Sequence, residues 1–319
     1  MHEVITIGEA IVEIMRPSAG QPLDTEGEFR GPFASGAPAI FSVASARLGL
    51  STAFVGAIGE DAFGRFLCER FTAEDVDISS LQLISGYATG VAVVAYDDSG
   101  GREFVFHIRH AASGQLSETL IPAELLDCAR WLHLSGSTIF LNENSRSACR
   151  RALDLMLSKG GKISLDPNLR PELMPVDKAA AELAPFLPVA DLLLPTESEA
   201  YALTGESEIT RAVSALGTKP DAIIAVKRGP AGSTVFHNGR QVEIPGFAVD
   251  EVDPTGAGDC FSAAFIAGLE AGWAIERLAR FANAAGALAV TKLGPMEGAP
   301  TQHQVEKFLT GNSTAHGKS

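Results

Sequence analysis

The feature that most constrains this chain is an alternation: short apolar runs rich in β-branched residues recur between longer segments of helical periodicity. Apolar strands of that kind are buried on both faces, so they build a mostly parallel sheet with helices on both sides, the doubly wound α/β arrangement. The strand-like runs are Val4 to Ile7, Thr52 to Ala57, Trp131 to Leu134, Lys162 to Leu165, Asp191 to Leu194 and Ala222 to Val226. Helical patterns cover Ala37 to Leu48, Ser145 to Ser158, Ala179 to Leu187, Glu197 to Leu203, Gly256 to Ala271 and Ile275 to Leu293. The last two are Ala-rich and suited to close packing. With 319 residues, 46% of them hydrophobic, the chain can bury one large core, and residues 1–319 read as a single domain.

One stretch breaks the alternation. Gly90 to Tyr96, a turn at Asp97 to Gly101, and Glu103 to Ile108 have the pattern of a β-hairpin. A hairpin inserted into a βα series fits poorly within a parallel sheet and is better placed as a flap over the strand C-termini, where such sheets bind ligands. Residues 11–33 and 90–110 are therefore expected to form a small β lid. The polar residues 310–319 read as a disordered tail.

Charge and composition then exclude several classes of function. A net charge of −14 opposes a phosphate backbone, so no nucleic-acid partner is expected. No apolar run approaches the roughly 18 residues of a membrane span, and the N-terminus lacks a basic, cleavable leader, which points to a cytoplasmic protein without a membrane partner. Cys68, Cys128, Cys149 and Cys260 are scattered and suggest neither disulfides nor a zinc site. In so acidic a chain, any anionic ligand has to be held by local Arg, Lys or backbone N–H groups.

The string Asp253-Pro254-Thr255-Gly256-Ala257-Gly258-Asp259 runs directly into the apolar helix Cys260 to Leu269. Gly256, Ala257 and Gly258 at a helix N-terminus expose N–H groups that the helix dipole makes attractive to an anion. Asp259 repels an anion, yet it is well placed to take a proton from a hydroxyl attacking a held phosphorus. A bare GxGD is more often a Gly-rich turn followed by a helix-terminal acid; the longer string reverses that balance.

The longer string resembles the second signature of the ribokinase or PfkB family of carbohydrate kinases, and other segments agree in the family's order. Ser35-Gly36-Ala37-Pro38-Ala39-Ile40 through Gly49 resembles the first signature, and Gly59 to Gly64 a G-x-D-x-x-G stretch. Pro195 to Glu199 resembles NxxE, Lys227 to Gly232 the nucleotide loop, and Asn283 with Thr291 to Gly294 the region flanking adenine. The resemblance implies a ribokinase-like fold, ATP with Mg²⁺, K⁺ near the loop containing Asp253, a small-molecule sugar or sugar acid as substrate, and a homodimer formed through the lid. Asp259 is then the general base and Gly256, Ala257 and Gly258 the anion hole. Thr196, Glu199, Lys227, Gly229, Gly232 and Asn283 serve the nucleotide, with Glu199 placing Mg²⁺ through water. Taken singly, Glu199 fits a solvated helix face, Gly229 and Gly232 a turn, and Asn283 a packing role.

On the substrate side, the resemblance implies Glu13, Gly36, Ala37, Arg109, Asp166, Asn168 and Arg170. The stretch Asp166 to Arg170 resembles the DPNxR of fructokinases and 2-keto-3-deoxygluconate kinases, and Arg109 an arginine that those kinases bring onto the substrate. His107 and His110 read as lid-surface residues. Three positions depart from the family pattern: Ser35 for Gly, Ile40 for Asn, and Thr196 for Asn. The activity expected is phosphorylation of a hydroxyl of a ketohexose or a 2-keto-3-deoxy sugar acid. A nucleoside kinase and a catalytically silent sugar- or nucleotide-binding protein remain alternatives. A dinucleotide-dependent dehydrogenase is disfavoured, because Gly8-Glu9-Ala10 after the first strand is not GxGxxG.

Overall fold

The computed structural model describes residues 2–98 and 101–313. Its strands are His2–Ile7 (β1), Ile11–Met15 (β2), Arg30–Ser35 (β3), Thr52–Gly59 (β4), Asp77–Ile84 (β5), Gly90–Tyr96 (β6), Arg102–His107 (β7), Ala129–Ser135 (β8), Lys162–Asp166 (β9), Leu192–Leu193 (β10), Ile223–Lys227 (β11), Ser233–His237 (β12) and Arg240–Ile244 (β13). The α-helices are Ala37–Arg47 (α1), Ala62–Ala73 (α2), Ala123–Asp127 (α3), Gly136–Leu141 (α4), Glu143–Ser158 (α5), Val176–Leu183 (α6), Glu197–Thr204 (α7), Ile209–Ala215 (α8), Ala257–Glu270 (α9), Ile275–Ala289 (α10) and Gln302–Ser313 (α11).

Nine strands join in the order β13-β12-β11-β10-β9-β8-β1-β4-β5, and only β12 runs against its neighbours. β1 pairs in parallel with β4 on one side and β8 on the other. The chain order reverses between those two partners, which opens a crevice at the strand C-termini. One face of the sheet packs on α5 through Ala148, Ala152, Leu153 and Met156. The other packs on α1, α9 and α10 through Phe41, Phe265, Leu278 and Phe281. α9 and α10 approach closely because Gly286 lacks a side chain: a Cβ there would lie 3.3 Å from the carbonyl of Ala257.

The hairpin β6–β7 does leave the main sheet. It joins β2 and β3 in a second sheet of order β3-β2-β6-β7, in which β2 and β6 are parallel. Ser99 and Gly100, in the expected turn between β6 and β7, lie outside the described residues. Several boundaries differ from the sequence reading. The expected helix at Ala179 to Leu187 is α6, displaced to Val176–Leu183, since Pro185 removes a backbone donor and stops it. α10 ends at Ala289 instead of Leu293, because the carbonyl of Val290 turns away to accept Val252 and Asp253 N–H groups at 2.8 and 3.1 Å. The tail reading fails for Thr310 to Ser313, which continue α11; the apolar contacts of Val305 and Phe308 anchor that helix to the core. The rest of the tail, 314–319, lies outside the described residues. Among the described residues, no helix is long and apolar enough to cross a membrane.

Candidate active site

Glu9 just beyond β1, Glu13 of β2 and Asp166 at the end of β9 bring acidic side chains to the crevice, and residues of β7 face it from the lid. One cavity is lined by Glu9 and Glu13 beyond and on the first strands, by Gly36 and Ala37 at the start of α1, and by Asp166, Asn168 and Arg170 after β9. Thr196 and Glu199 of α7, Lys227 of β11, and Gly256, Gly258 and Asp259 at the start of α9 complete the floor. From the lid, Arg102, Phe104 and Phe106 of β7 reach in.

At α9 the chain must turn sharply to aim its first N–H groups at this cavity. Gly256 is the N-cap at φ 84°, a left-handed conformation that glycine adopts cheaply, and a Cβ there would lie 2.3 Å from the carbonyl of Pro295. Asp259 follows in the first turn. Burial, with the nearby Asp166 carboxylate, pushes Asp259 up to about 7 against the opposing charges of Lys227 and Arg170. A carboxylate so tuned changes protonation near neutral pH, as a general base requires.

Lys227 points its Nζ at Asp166 Oδ2, 2.5 Å away, and a Cβ on Gly258 would lie 3.4 Å from that same Nζ. Burial alone would lower the Lys227 pKa; the carboxylates of Asp166, Glu199 and Asp259 prevail and raise it, so the ammonium stays charged beside the glycine turn. Asp166 Oδ1 accepts from Asn168 N at 3.1 Å, and Asn168, at φ 38°, donates its Nδ2 to Ser135 Oγ at 3.1 Å.

Glu199 holds backbone groups with both of its carboxylate oxygens. Its Oε1 accepts from Leu169 N at 2.8 Å and its Oε2 from Thr196 N at 2.7 Å, while Thr196 Oγ1 accepts from Glu199 N at 3.2 Å. The last two form a reciprocal capping box at the start of α7, and the first ties the 166–170 loop to it. Thr-x-x-Glu is the sequence signature of that box, which the resemblance to NxxE obscured.

Glu13 is 2% exposed. Its Oε2 accepts from Ser35 Oγ at 2.9 Å, whereas its buried Oε1 has no partner within the protein. Burial pushes it up to about 7, with the Ser35 hydrogen bond opposing. The departures at positions 35, 40 and 196 thus have local causes. Ser35 braces Glu13, Ile40 packs against the Gly256 turn, 3.2 Å from where a Cβ would be, and Thr196 caps α7.

Several residues implied by the resemblance stand elsewhere. Arg109 is exposed and does not line the cavity; its Nη2 donates to the Leu173 carbonyl at 2.6 Å. The lid arginine that does line it is Arg102, paired across the hairpin with Tyr96. His107 and His110 are exposed. Ala257, Gly229, Gly232 and Asn283 lie outside the cavity lining. Asn283 donates its amide to the carbonyls of Ile244 and Pro245, both at 3.1 Å, and a Cβ on Gly232 would meet the same Ile244 carbonyl at 2.2 Å, so these two residues flank one strand end. Asp253 is fully buried beneath the turn, accepting from Tyr96 Oη at 2.7 Å, Thr255 N at 2.9 Å and Gly294 N at 2.9 Å.

Sequence reasoning missed Glu9 and Tyr96. Glu9 Oε1 and Oε2 accept from the hydroxyls of Ser137 and Thr138, each at 2.6 Å, and burial raises its pKa. Its only signal was a lone acid at the C-terminal end of a buried strand, beside the switch point.

These residues fit a nucleotide and Mg²⁺. The glycine turn offers N–H donors and Lys227 a held cation, while Asp166 and Glu199 supply carboxylates nearby. Among the described residues no cluster of three His, Cys, Asp or Glu side chains forms a metal cage. Mg²⁺, which keeps several waters, is commonly bound through one or two carboxylates together with substrate phosphates.

Residues 1–302 match the model of the pfkB family of carbohydrate kinases. A fructokinase of Salmonella typhimurium is 32% identical over 315 residues, covering 96% of this chain and 98% of its own. An Escherichia coli structure described as a ribokinase II in complex with ATP and Mg²⁺ superposes with a TM-score of 0.91 at 37% identity, covering 97% of this chain and 99% of its own. The Vibrio cholerae O395 fructokinase with fructose, ADP and calcium gives 0.84 at 31% identity, covering 97% and 99%. A double mutant of that enzyme holds fructose, ADP and potassium.

Proposed function

The chain belongs to the pfkB family of carbohydrate kinases and is an ATP-dependent sugar kinase; we propose that its substrate is a neutral ketohexose of the fructose type, phosphorylated on a hydroxyl that Asp259 deprotonates. One observation carries this reading: the Asp259 carboxylate and the unpartnered Oε1 of Glu13 line the same cavity, between the glycine turn and the lid. A buried acceptor without a donor is costly unless a ligand supplies one, and a sugar hydroxyl does so. The acids Glu9, Glu13, Asp166 and Asp259 around that space favour a polyol over a second anion. The fructose named in the relatives supports the same choice.

In this reading Glu13 Oε1 accepts from one hydroxyl and fixes the ring, while Asp259 takes the proton of the attacking hydroxyl on a carboxylate oxygen. The N–H groups of Gly256 and Gly258, with Lys227, hold the charge that develops on the phosphoryl oxygens. Asp166 and Glu199 are the carboxylates that would hold Mg²⁺ through its waters. ATP supplies the γ-phosphoryl group and Mg²⁺ neutralises part of its charge. Phe104 and Phe106 of the lid exclude water that would otherwise compete with the sugar.

The test is ADP release with ATP and Mg²⁺ across a panel of neutral hexoses, 2-keto-3-deoxygluconate and nucleosides. We expect fructose or a close ketohexose to give the highest kcat/KM. A higher value for the sugar acid or for a nucleoside overturns the substrate reading.

A further inference from the structure

We propose that Tyr96 is a positioning residue whose phenol latches the lid to the loop carrying the catalytic base, so that the lid and the anion-binding turn take up their working geometry together. Tyr96 is the last residue of β6 and pairs with Arg102, which lines the cavity. Its backbone carbonyl also accepts from Gly20 N at 2.8 Å, tying in the segment between β2 and β3. Three parts of the lid therefore meet at this residue.

From there the side chain crosses to the main domain. Its Oη donates to Asp253 Oδ1 at 2.7 Å and lies 3.3 Å from Thr255 Oγ1. Asp253 is fully buried, and its two oxygens also accept from Thr255 N and Gly294 N. Both of those contacts bear on the catalytic turn. Thr255 immediately precedes Gly256, and the residue after Gly294, Pro295, presents the carbonyl against which Gly256 is packed. A second lid contact falls on the same loop, because Phe33 of β3 lies against Gly294.

The chain of contacts runs from lid hairpin to phenol, to buried carboxylate, to the residues on both sides of the glycine turn. A hydrogen bond to a buried charged group is stronger than a neutral one and is expensive to leave unmade. Swinging the lid away from this site strips Asp253 of one donor and frees the turn from one of its supports. The lid position and the turn geometry are thereby coupled through one hydroxyl, which is the arrangement needed for a site that assembles only when covered.

Tyr96→Phe removes the hydroxyl and keeps the ring. Hydrogen exchange of the protein alone tests the coupling without reference to any substrate. We expect faster exchange both in β6–β7 and in residues 254–258, with the edge strand β5 unchanged. Faster exchange in the hairpin alone, or no change, overturns the proposal. Kinetics give the second readout and rest on the kinase activity. With saturating ATP and Mg²⁺, kcat/KM for fructose, or for the best sugar of the panel should fructose be refused, is expected to fall about ten- to a hundredfold. KM for ATP should stay within about twofold, and the ratio of sugar-independent ATP hydrolysis to sugar phosphorylation should rise. Equal losses toward sugar and nucleotide, or a sugar kcat/KM within twofold of wild type, overturn the latch. A different preferred sugar overturns only the substrate reading.

Discussion

At the scale of single residues, the site turns on two buried carboxyls, Asp259 and Glu13, both pushed up to about 7 chiefly by burial. A base must be ionised to accept a proton, so kcat/KM for the sugar should rise with pH and level off only above about 7. Asp259→Asn should lower kcat by about 10² to 10⁴, the range for loss of a general base, and remove the part of that pH dependence which Asp259 contributes. A rate profile flat from pH 5 to 8 in the wild type would remove Asp259 from the role. Stability should move the opposite way. A carboxyl whose folded pKa is raised binds more protons in the native state than in the unfolded one between about 4 and 7. Its favourable contribution is therefore present below the unfolded pKa and lost as pH rises through about 7. Asp259→Asn should accordingly raise the thermal midpoint relative to wild type at pH 8 and leave it nearly unchanged at pH 4. Within the lid, Arg109 donates to the Leu173 carbonyl, whereas Arg102 lines the cavity.

At the scale of elements, the start of α7 holds the site together, since Glu199 accepts from the backbone of both Thr196 and Leu169. An amide in its place directs an NH₂ at one of those two donors. Glu199→Gln should therefore raise KM for the sugar, by releasing the loop that carries Asp166 and Arg170, and should also raise the Mg²⁺ concentration giving half-maximal rate. Metal titration at saturating ATP, paired with a sugar titration at saturating metal, separates the two; an unchanged sugar KM would leave Glu199 without its loop-holding role. Much of this architecture is legible in the sequence. β1, β4, β8, β9 and β11 are apolar runs buried on both faces, and the lid hairpin betrays itself by interrupting the βα series. β5 is not legible, because Asp77, Ser79, Ser80 and Gln82 dilute its apolar pattern at the sheet edge. The hairpin β12–β13 carries an Asn238-Gly239 turn with φ values of 50° and 73°, a strong local signal that the reading passed over. The glycine turn was legible only through the longer string from Asp253 to Asp259, because a bare GxGD more often marks a turn followed by a helix-terminal acid. Tyr96 was not: its partner Asp253 lies 157 positions away, and no local pattern announces a contact of that range.

At the scale of the whole molecule, the question is how a protein of charge −14 admits its substrates. The cavity repeats the bias of the chain, with Glu9, Glu13, Asp166, Glu199 and Asp259 facing Lys227, Arg102 and Arg170. A neutral sugar crosses that field without penalty. A sugar acid is repelled at a distance and must be recaptured by a local guanidinium, so both its approach and its binding depend on screening. Raising ionic strength from about 0.01 to about 0.1 M shortens the Debye length from about 30 to about 10 Å. At saturating ATP and Mg²⁺, which removes the charged cosubstrate from the comparison, kcat/KM for a ketohexose should then change by less than about twofold. A carboxylate-bearing substrate should respond severalfold, upward where repulsion at long range dominates and downward where the arginine contact does. A severalfold salt dependence with the preferred sugar would contradict the neutral-substrate reading. A flat profile, obtained in the same experiment with a sugar acid as the responsive control, places recognition in the hydrogen bonds of Glu13 and Asp259 and leaves the arginines to the phosphoryl group and the lid.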